Sequence, residues 1–263
     1  MERYAVSGPV GVIGGVRRVC DGTDAPVVFV HHINGAAEQW WPVMEHLADR
    51  SSIAVDLRGH GLSEPGGSYG AADYAADIAA VMDTLGIPRA HLVGASFGGS
   101  ASIVLAATQP ARIESVTVIG SALRVVGVDS AAVVDELHRL GPTLFFEKFA
   151  AASFAPGTDD ALLADSVHRA ARNDSSTIEQ IIRAAFSADI SSAAAQVASP
   201  ALVLTGEHDQ TCPPALGAEL AAALGAECRV LAGRGHLAHI EAPALVAHLI
   251  DERLQHIGSV PTG

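Results

Sequence analysis

The sequence predicts an α/β fold: a mostly parallel central sheet flanked by helices, with a helical segment inserted before the last strands. Three observations predict it. Short continuous apolar runs alternate with stretches whose apolar residues recur at helical spacing, as far as Gly120. The alternation then stops, and residues 122–198 carry helical stripes only. Apolar runs return at Ala201-Leu202-Val203-Leu204 and Cys228-Arg229-Val230-Leu231. Runs of this kind suit strands covered on both faces by helices. The reading divides the chain into a core of residues 1–121 and 199–258, a helical lid over residues 122–198, and a flexible tail at 259–263.

In chain order, residues 10–19 read as two short β segments turning at the glycines Gly11, Gly14 and Gly15. Val27-Val28-Phe29-Val30 is a buried strand ending at His31-His32-Ile33-Asn34-Gly35. Trp40, Val43, Met44 and Leu47 form a helical stripe, with Pro42 near the helix start, where proline is tolerated. Residues 52–57 form the next strand, and a glycine-rich loop follows as far as Gly70. Ile78, Val81, Met82 and Leu85 mark a helix that Gly86-Ile87-Pro88 stops. A strand leads into Gly94, a small-residue helix follows as far as Thr108, and residues 115–120 form another strand. Within the insertion, stripes at Val133/Val134/Leu137/Leu140, Leu144/Phe145/Phe149, Leu162/Leu163/Val167 and Ile178/Ile181/Ile182 are separated by turn-forming clusters.

Composition narrows the function. The chain has 263 residues, 49% hydrophobic and 17% charged, enough for one large α/β domain. Its net charge of −13 disfavours nucleic acid and anionic membranes as partners. No apolar run approaches the roughly 18 residues of a membrane span, and the N-terminus lacks a secretory pattern. Cys20, Cys212 and Cys228 have no metal-ligand spacing, which favours reduced thiols and a cytoplasmic location. No helical His-x-x-x-His with an acidic partner and no G-x-G-x-x-G after a first strand occurs, so no metal and no cofactor is expected.

Gly94-Ala95-Ser96-Phe97-Gly98 lies between a strand and a helix, which is the setting of a nucleophile elbow. There the chain turns sharply, the serine hydroxyl projects, and a side chain at either glycine would crowd its neighbours. A second G-x-S-x-G, Gly66-Gly67-Ser68-Tyr69-Gly70, has no strand before it and reads as a loop. A serine hydroxyl needs a base, and the base needs a group to hold it. Thr205-Gly206-Glu207-His208-Asp209 follows one late strand, and Ala232-Gly233-Arg234-Gly235-His236 follows the other. In a parallel sheet these segments and Ser96 share the carboxyl edge. Glu207 competes with Asp209 as the acid, and His239 competes with His236 as the base.

With these motifs the chain resembles the α/β-hydrolase superfamily over nearly its whole length. It is most similar to the small lidded esterases, lactonases, C–C bond hydrolases and perhydrolases. Gly206-Glu207-His208-Asp209 resembles the family's acid loop and Gly235-His236-Leu237-Ala238-His239-Ile240-Glu241-Ala242-Pro243 its histidine loop. Asp56-Leu57-Arg58-Gly59-His60-Gly61-Leu62-Ser63 matches a third family loop. The resemblance implies an α/β-hydrolase fold and a catalytic set of Ser96, Asp209 and His236. It also implies an oxyanion hole made by the backbone N–H groups of Ile33 and Phe97. The family's usual His-Gly before the second donor is here His31-His32, so His32 and Asn34 become candidates for touching substrate. Phe145, Phe149 and Leu237 are further candidate contacts.

The function this implies is a serine hydrolase cleaving an ester, thioester or lactone through an acyl-enzyme. The partner is a small-molecule acyl substrate, and the chain is a monomer or homodimer. A C–C hydrolase or perhydrolase on the same residues is the enzymatic alternative. Such C–C hydrolases commonly carry Asn and Trp where this chain has Ala95 and Leu237. A receptor without turnover on a hydrolase scaffold is the alternative of another class.

Overall fold

The computed structural model describes residues 1–22 and 24–258; the predicted tail at 259–263 lies outside them. Its elements run β1 (Glu2–Ser7), β2 (Val12–Arg18), β3 (Val27–Val30), α1 (Trp41–His46), β4 (Ser52–Val55), α2 (Ala71–Thr84), β5 (Ala90–Ala95), α3 (Phe97–Thr108) and β6 (Ile113–Ile119). Five helices follow: α4 (Ser130–Leu140), α5 (Pro142–Ser153), α6 (Asp160–Ala171), α7 (Ser175–Ser187) and α8 (Ser191–Ala194). The chain closes with β7 (Ala201–Gly206), α9 (Pro214–Leu224), β8 (Glu227–Leu231), α10 (Ala238–Glu241) and α11 (Pro243–Gly258).

All eight strands form one sheet in the order β1-β2-β4-β3-β5-β6-β7-β8. From β4 to β8 the neighbours are parallel, and β2 runs against the rest, pairing antiparallel with both β1 and β4. Side chains alternate across each strand, so one sequence run serves two cores. Val28, Val30, Leu92 and Val116 face α2, α3 and α9, while Val27, Phe29, Val93 and Ile119 face α1 and α11. Phe29 and Trp40 are both fully buried, with ring centroids 4.9 Å apart. Burial of an aromatic of this kind contributes about 1.5–3 kcal/mol.

The strand order reverses at β3, which has β4 on one side and β5 on the other. The crevice at the carboxyl ends of β3 and β5 is therefore the switch point where open α/β sheets bind ligands. Helices α4–α8 are inserted between β6 and β7, and α4, α5, α6 and α7 close a small core of their own around Val134, Phe145, Ile178 and Ile182. Asp129, Asp159 and Asp174 cap α4, α6 and α7, each accepting a backbone N–H of the first turn.

The amino-terminal hairpin differs from the expectation for residues 10–19. Gly14 and Gly15 lie inside β2, the turn falls at residues 8–11, and the partner strand is β1. The glycines serve close packing: a Cβ on Gly15 would stand 2.7 Å from the Tyr4 hydroxyl, and one on Gly14 would strike Leu62.

Candidate active site

Ser96 sits between β5 and α3 at φ 51° and ψ −123°. Asn34 at φ 58° is the other non-glycine residue with positive φ among the described residues. The turn around Ser96 is braced on each side. The Ser96 N–H donates to the Ile119 carbonyl (2.8 Å), and the Ser96 carbonyl accepts from the Ser121 hydroxyl (2.8 Å) and the Gly99 N–H (2.9 Å). A Cβ on Gly94 would lie 2.6 Å from the Gly99 backbone, and one on Gly98 would press on the Val30 and His31 carbonyls. Glycine at both places lets strand, turn and helix meet.

His236 and Asp209 meet behind the serine's cavity. The His236 Nδ1 lies 2.8 Å from Asp209 Oδ2, with both side chains buried. Asp209 Oδ1 accepts the N–H groups of Thr211 (2.9 Å) and Cys212 (2.7 Å), which fixes the carboxylate. Glu207, the competing acid, is exposed and accepts the Gly233 N–H instead (2.7 Å). The competing histidine, His239, is fully buried with its ring stacked on Trp40 at 4.3 Å. Glu241 accepts the N–H groups of Gly235 and Ala155, tying the His236 loop to the end of α5.

The loop after β3 is held by two histidines. The Leu57 N–H donates to His31 Nε2 (3.0 Å), so the His31 proton is on Nδ1, which donates to the His32 carbonyl (2.6 Å). The Gly35 N–H donates to the same carbonyl. In a trans peptide the N–H points opposite to the C=O, so the Ile33 N–H is turned away from these donors. Neither it nor the Phe97 N–H has an acceptor among the described residues. His60 Nε2 accepts the Asn34 N–H (2.9 Å), and Asp56 accepts the N–H groups of Ala37 and Leu62. Burial pushes His31 down to about 4 and His60 to about 3, so both stay neutral scaffolding. His32 is likewise held well below the usual histidine range, first by burial and then by His239.

One cavity, about 1060 Å³ counting its opening to solvent, takes in most of these groups. Ser96, Phe97, Ile33, His32, Asn34 and His236 line one wall, and Phe145, Phe149 and Leu237 line the rest with other apolar residues. Every predicted site residue thus borders this cavity except Asp209, which reaches it through His236. Leu144, which shares a helical stripe with Phe145 and Phe149, points outward and is 54% exposed, while Phe146 and Phe186 line the cavity in its stead. Ser121 and Glu241 were not legible as site residues; a hydroxyl or carboxylate that only braces backbone leaves no spacing pattern.

Comparison with known proteins agrees with this fold. The family model for the alpha/beta hydrolase fold matches residues 25–243. The 2-(acetamidomethylene)succinate hydrolase of Mesorhizobium japonicum is 30% identical over 203 residues, covering 72% of this chain and 73% of that protein. The 2-succinyl-6-hydroxy-2,4-cyclohexadiene-1-carboxylate synthase of Escherichia coli is 28% identical over 229 residues, 83% of this chain and 89% of its own. The enol-lactonase of Burkholderia xenovorans superposes with a TM-score of 0.84 at 25% identity, covering 96% of this chain and all of that one (100%). Fold, motifs and relatives agree: the chain belongs to the α/β-hydrolase family.

Proposed function

We propose that this chain is a serine hydrolase that cleaves a carboxylic ester, thioester or lactone through an acyl-enzyme. The observation that carries the reading is Ser96 on a positive-φ turn, facing the same cavity as a histidine whose far nitrogen is bonded to a buried carboxylate.

The Ser96 hydroxyl attacks the carbonyl carbon while His236 takes its proton at Nε2. Asp209 holds the Nδ1 proton, fixing the tautomer and stabilising the imidazolium. Negative charge gathers on the carbonyl oxygen, and the Ile33 and Phe97 N–H groups stabilise it. His236 then protonates the departing alcohol or thiol. In the second half it activates water, which releases the acid and restores Ser96. Phe145, Phe149 and Leu237 receive the apolar part of the substrate, with His32 and Asn34 on the polar wall. In this reading residues 122–198 act as the lid on the core formed by 1–121 and 199–258, and limit water around the reacting carbonyl.

The test is turnover of an ester, thioester and lactone panel by the purified chain and by Ser96→Ala. The variant is expected to lose roughly four to six orders of magnitude in kcat. Hydrolysis of a p-nitrophenyl ester by the variant at near the parental rate contradicts the mechanism.

A further inference from the structure

The cavity is nearly free of charge. Of the side chains lining it only Arg124 is a permanent ion, and it stands at the mouth, 46% exposed, beside Glu219 and Ser191. Deeper in, Phe145, Phe149 and Phe186 form an aromatic wall, with centroids 4.6 Å apart for the first pair and 6.5 Å for the second. Such a wall accepts a flat apolar group and offers nothing to offset the dehydration of a carboxylate.

Among the polar residues on this lining, Asn34 has both of its side-chain polar atoms open, where His32 and Ser166 each have one, His32 Nδ1 and Ser166 Oγ. Asn34 is 2% exposed, and neither its Nδ2 nor its Oδ1 has a hydrogen-bond partner among the described residues. Its backbone is fixed independently, at φ 58° with the N–H on His60. The side chain is thus placed by the loop rather than by its own amide. Nearly all buried polar atoms in proteins are bonded, and an open primary amide bordering a substrate cavity is a recognition group in waiting. Asn34 also follows directly on Ile33, the proposed oxyanion donor. A substrate whose carbonyl oxygen sits at the Ile33 N–H is therefore held by the residue that directly precedes this open amide.

We propose that Asn34 is a specificity-determining residue, and that the acyl part of the substrate is uncharged, aryl-bearing and hydroxylated on the carbon beside the scissile carbonyl. The inference rests on the acyl-enzyme reading above. A hydroxyl both donates and accepts, so it matches the two open atoms of the amide, and the aryl group occupies the phenylalanine wall.

The experiment compares kcat/KM for methyl mandelate, its O-methyl ether, methyl phenylacetate and the monomethyl ester of phenylmalonate. Each value is divided by the ester's own hydroxide-catalysed rate, which removes the inductive effect of the substituent. Methyl mandelate is expected to exceed the ether and the phenylacetate by about tenfold or more, and the anionic phenylmalonate ester to fall below all three. Asn34→Gly, which tolerates the left-handed backbone, is expected to bring the mandelate preference to within about twofold. A normalised ratio near one in the parent, or a preference that survives Asn34→Gly, overturns the proposal. Should the variant not fold, the parent's mandelate-to-ether ratio decides alone. Turnover of none of these esters also overturns it. A fluorophosphonate then separates the two levels, because the acyl-enzyme reading falls with it only if Ser96 stays unlabelled.

Discussion

At Ser96 the backbone holds a conformation that a β-carbon resists, and four neighbouring groups keep it there: Ile119, Ser121, Gly99 and Ser100. Strain of this kind costs about 1–3 kcal/mol and persists where the position of the side chain is useful. Ser96→Gly is therefore expected to raise the unfolding free energy by about 1 kcal/mol while abolishing turnover, read as a higher urea midpoint. A lower midpoint would show that the serine side chain itself holds the turn. Asp209 carries a second expectation. Asp209→Asn preserves volume but turns an N–H toward His236 Nδ1, favouring the wrong tautomer, and kcat should fall about 10⁴-fold. Glu207→Gln, on an exposed side chain bonded to Gly233, should leave kcat close to parental. A large loss in Glu207→Gln with Asp209→Asn close to parental would reverse the assignment of the acid.

Among the elements, the tight junction of β3, β5 and α3 governs the site. A methyl on Gly98 must displace the carbonyls of Val30 and His31, the same segment that orients Ile33. Gly98→Ala is expected to cost about 1–3 kcal/mol of stability and to lower kcat together with it; an unchanged kcat would show that the loop carrying the proposed oxyanion donor is not coupled to this contact. The central strands were legible because both their faces are buried, so Val27–Val30 and residues 201–204 stand out as unbroken apolar runs. β1 was not, because only Tyr4 and Val6 face inward and its other residues are exposed. The placement of Ser96, Asp209 and His236 at the carboxyl edge was readable for the same reason as the strands: Ser96 follows β5 directly, and the other two lie within a short loop after β7 and β8. The cavity wall was readable only in part. Leu144 and Phe145 are neighbours on one apolar stripe, yet which of them faces the cavity depends on how α5 stacks on α6 and α7. The brace of His31, His60 and Asp56 was not readable either, since it joins loops 26 residues apart through backbone partners.

Across the whole molecule, several buried histidines make the fold sensitive to acid. His31 is held at about 4, and His60 and His239 at about 3, in each case chiefly by burial. In the unfolded chain each titrates near 6.5. Between these values the unfolded state binds protons that the folded state does not, so stability rises with pH. The contribution is complete above about pH 6.5 and is lost as pH falls toward 4. Urea midpoints measured from pH 7.5 down to 5 should therefore decline steadily, and a flat profile would mean that these side chains gain partners on protonation. Among the described residues no helix is long and apolar enough to cross a membrane.

The central claim is that Ser96 carries the acyl group. Mixing the purified chain with a p-nitrophenyl ester, quenching in acid within the first turnover and weighing the protein tests it most directly. The account predicts a mass increase equal to one acyl group, confined to the peptide that contains Ser96 and absent from Ser96→Ala. An acyl group on another residue, or turnover with the protein mass unchanged at every quench time, would contradict it.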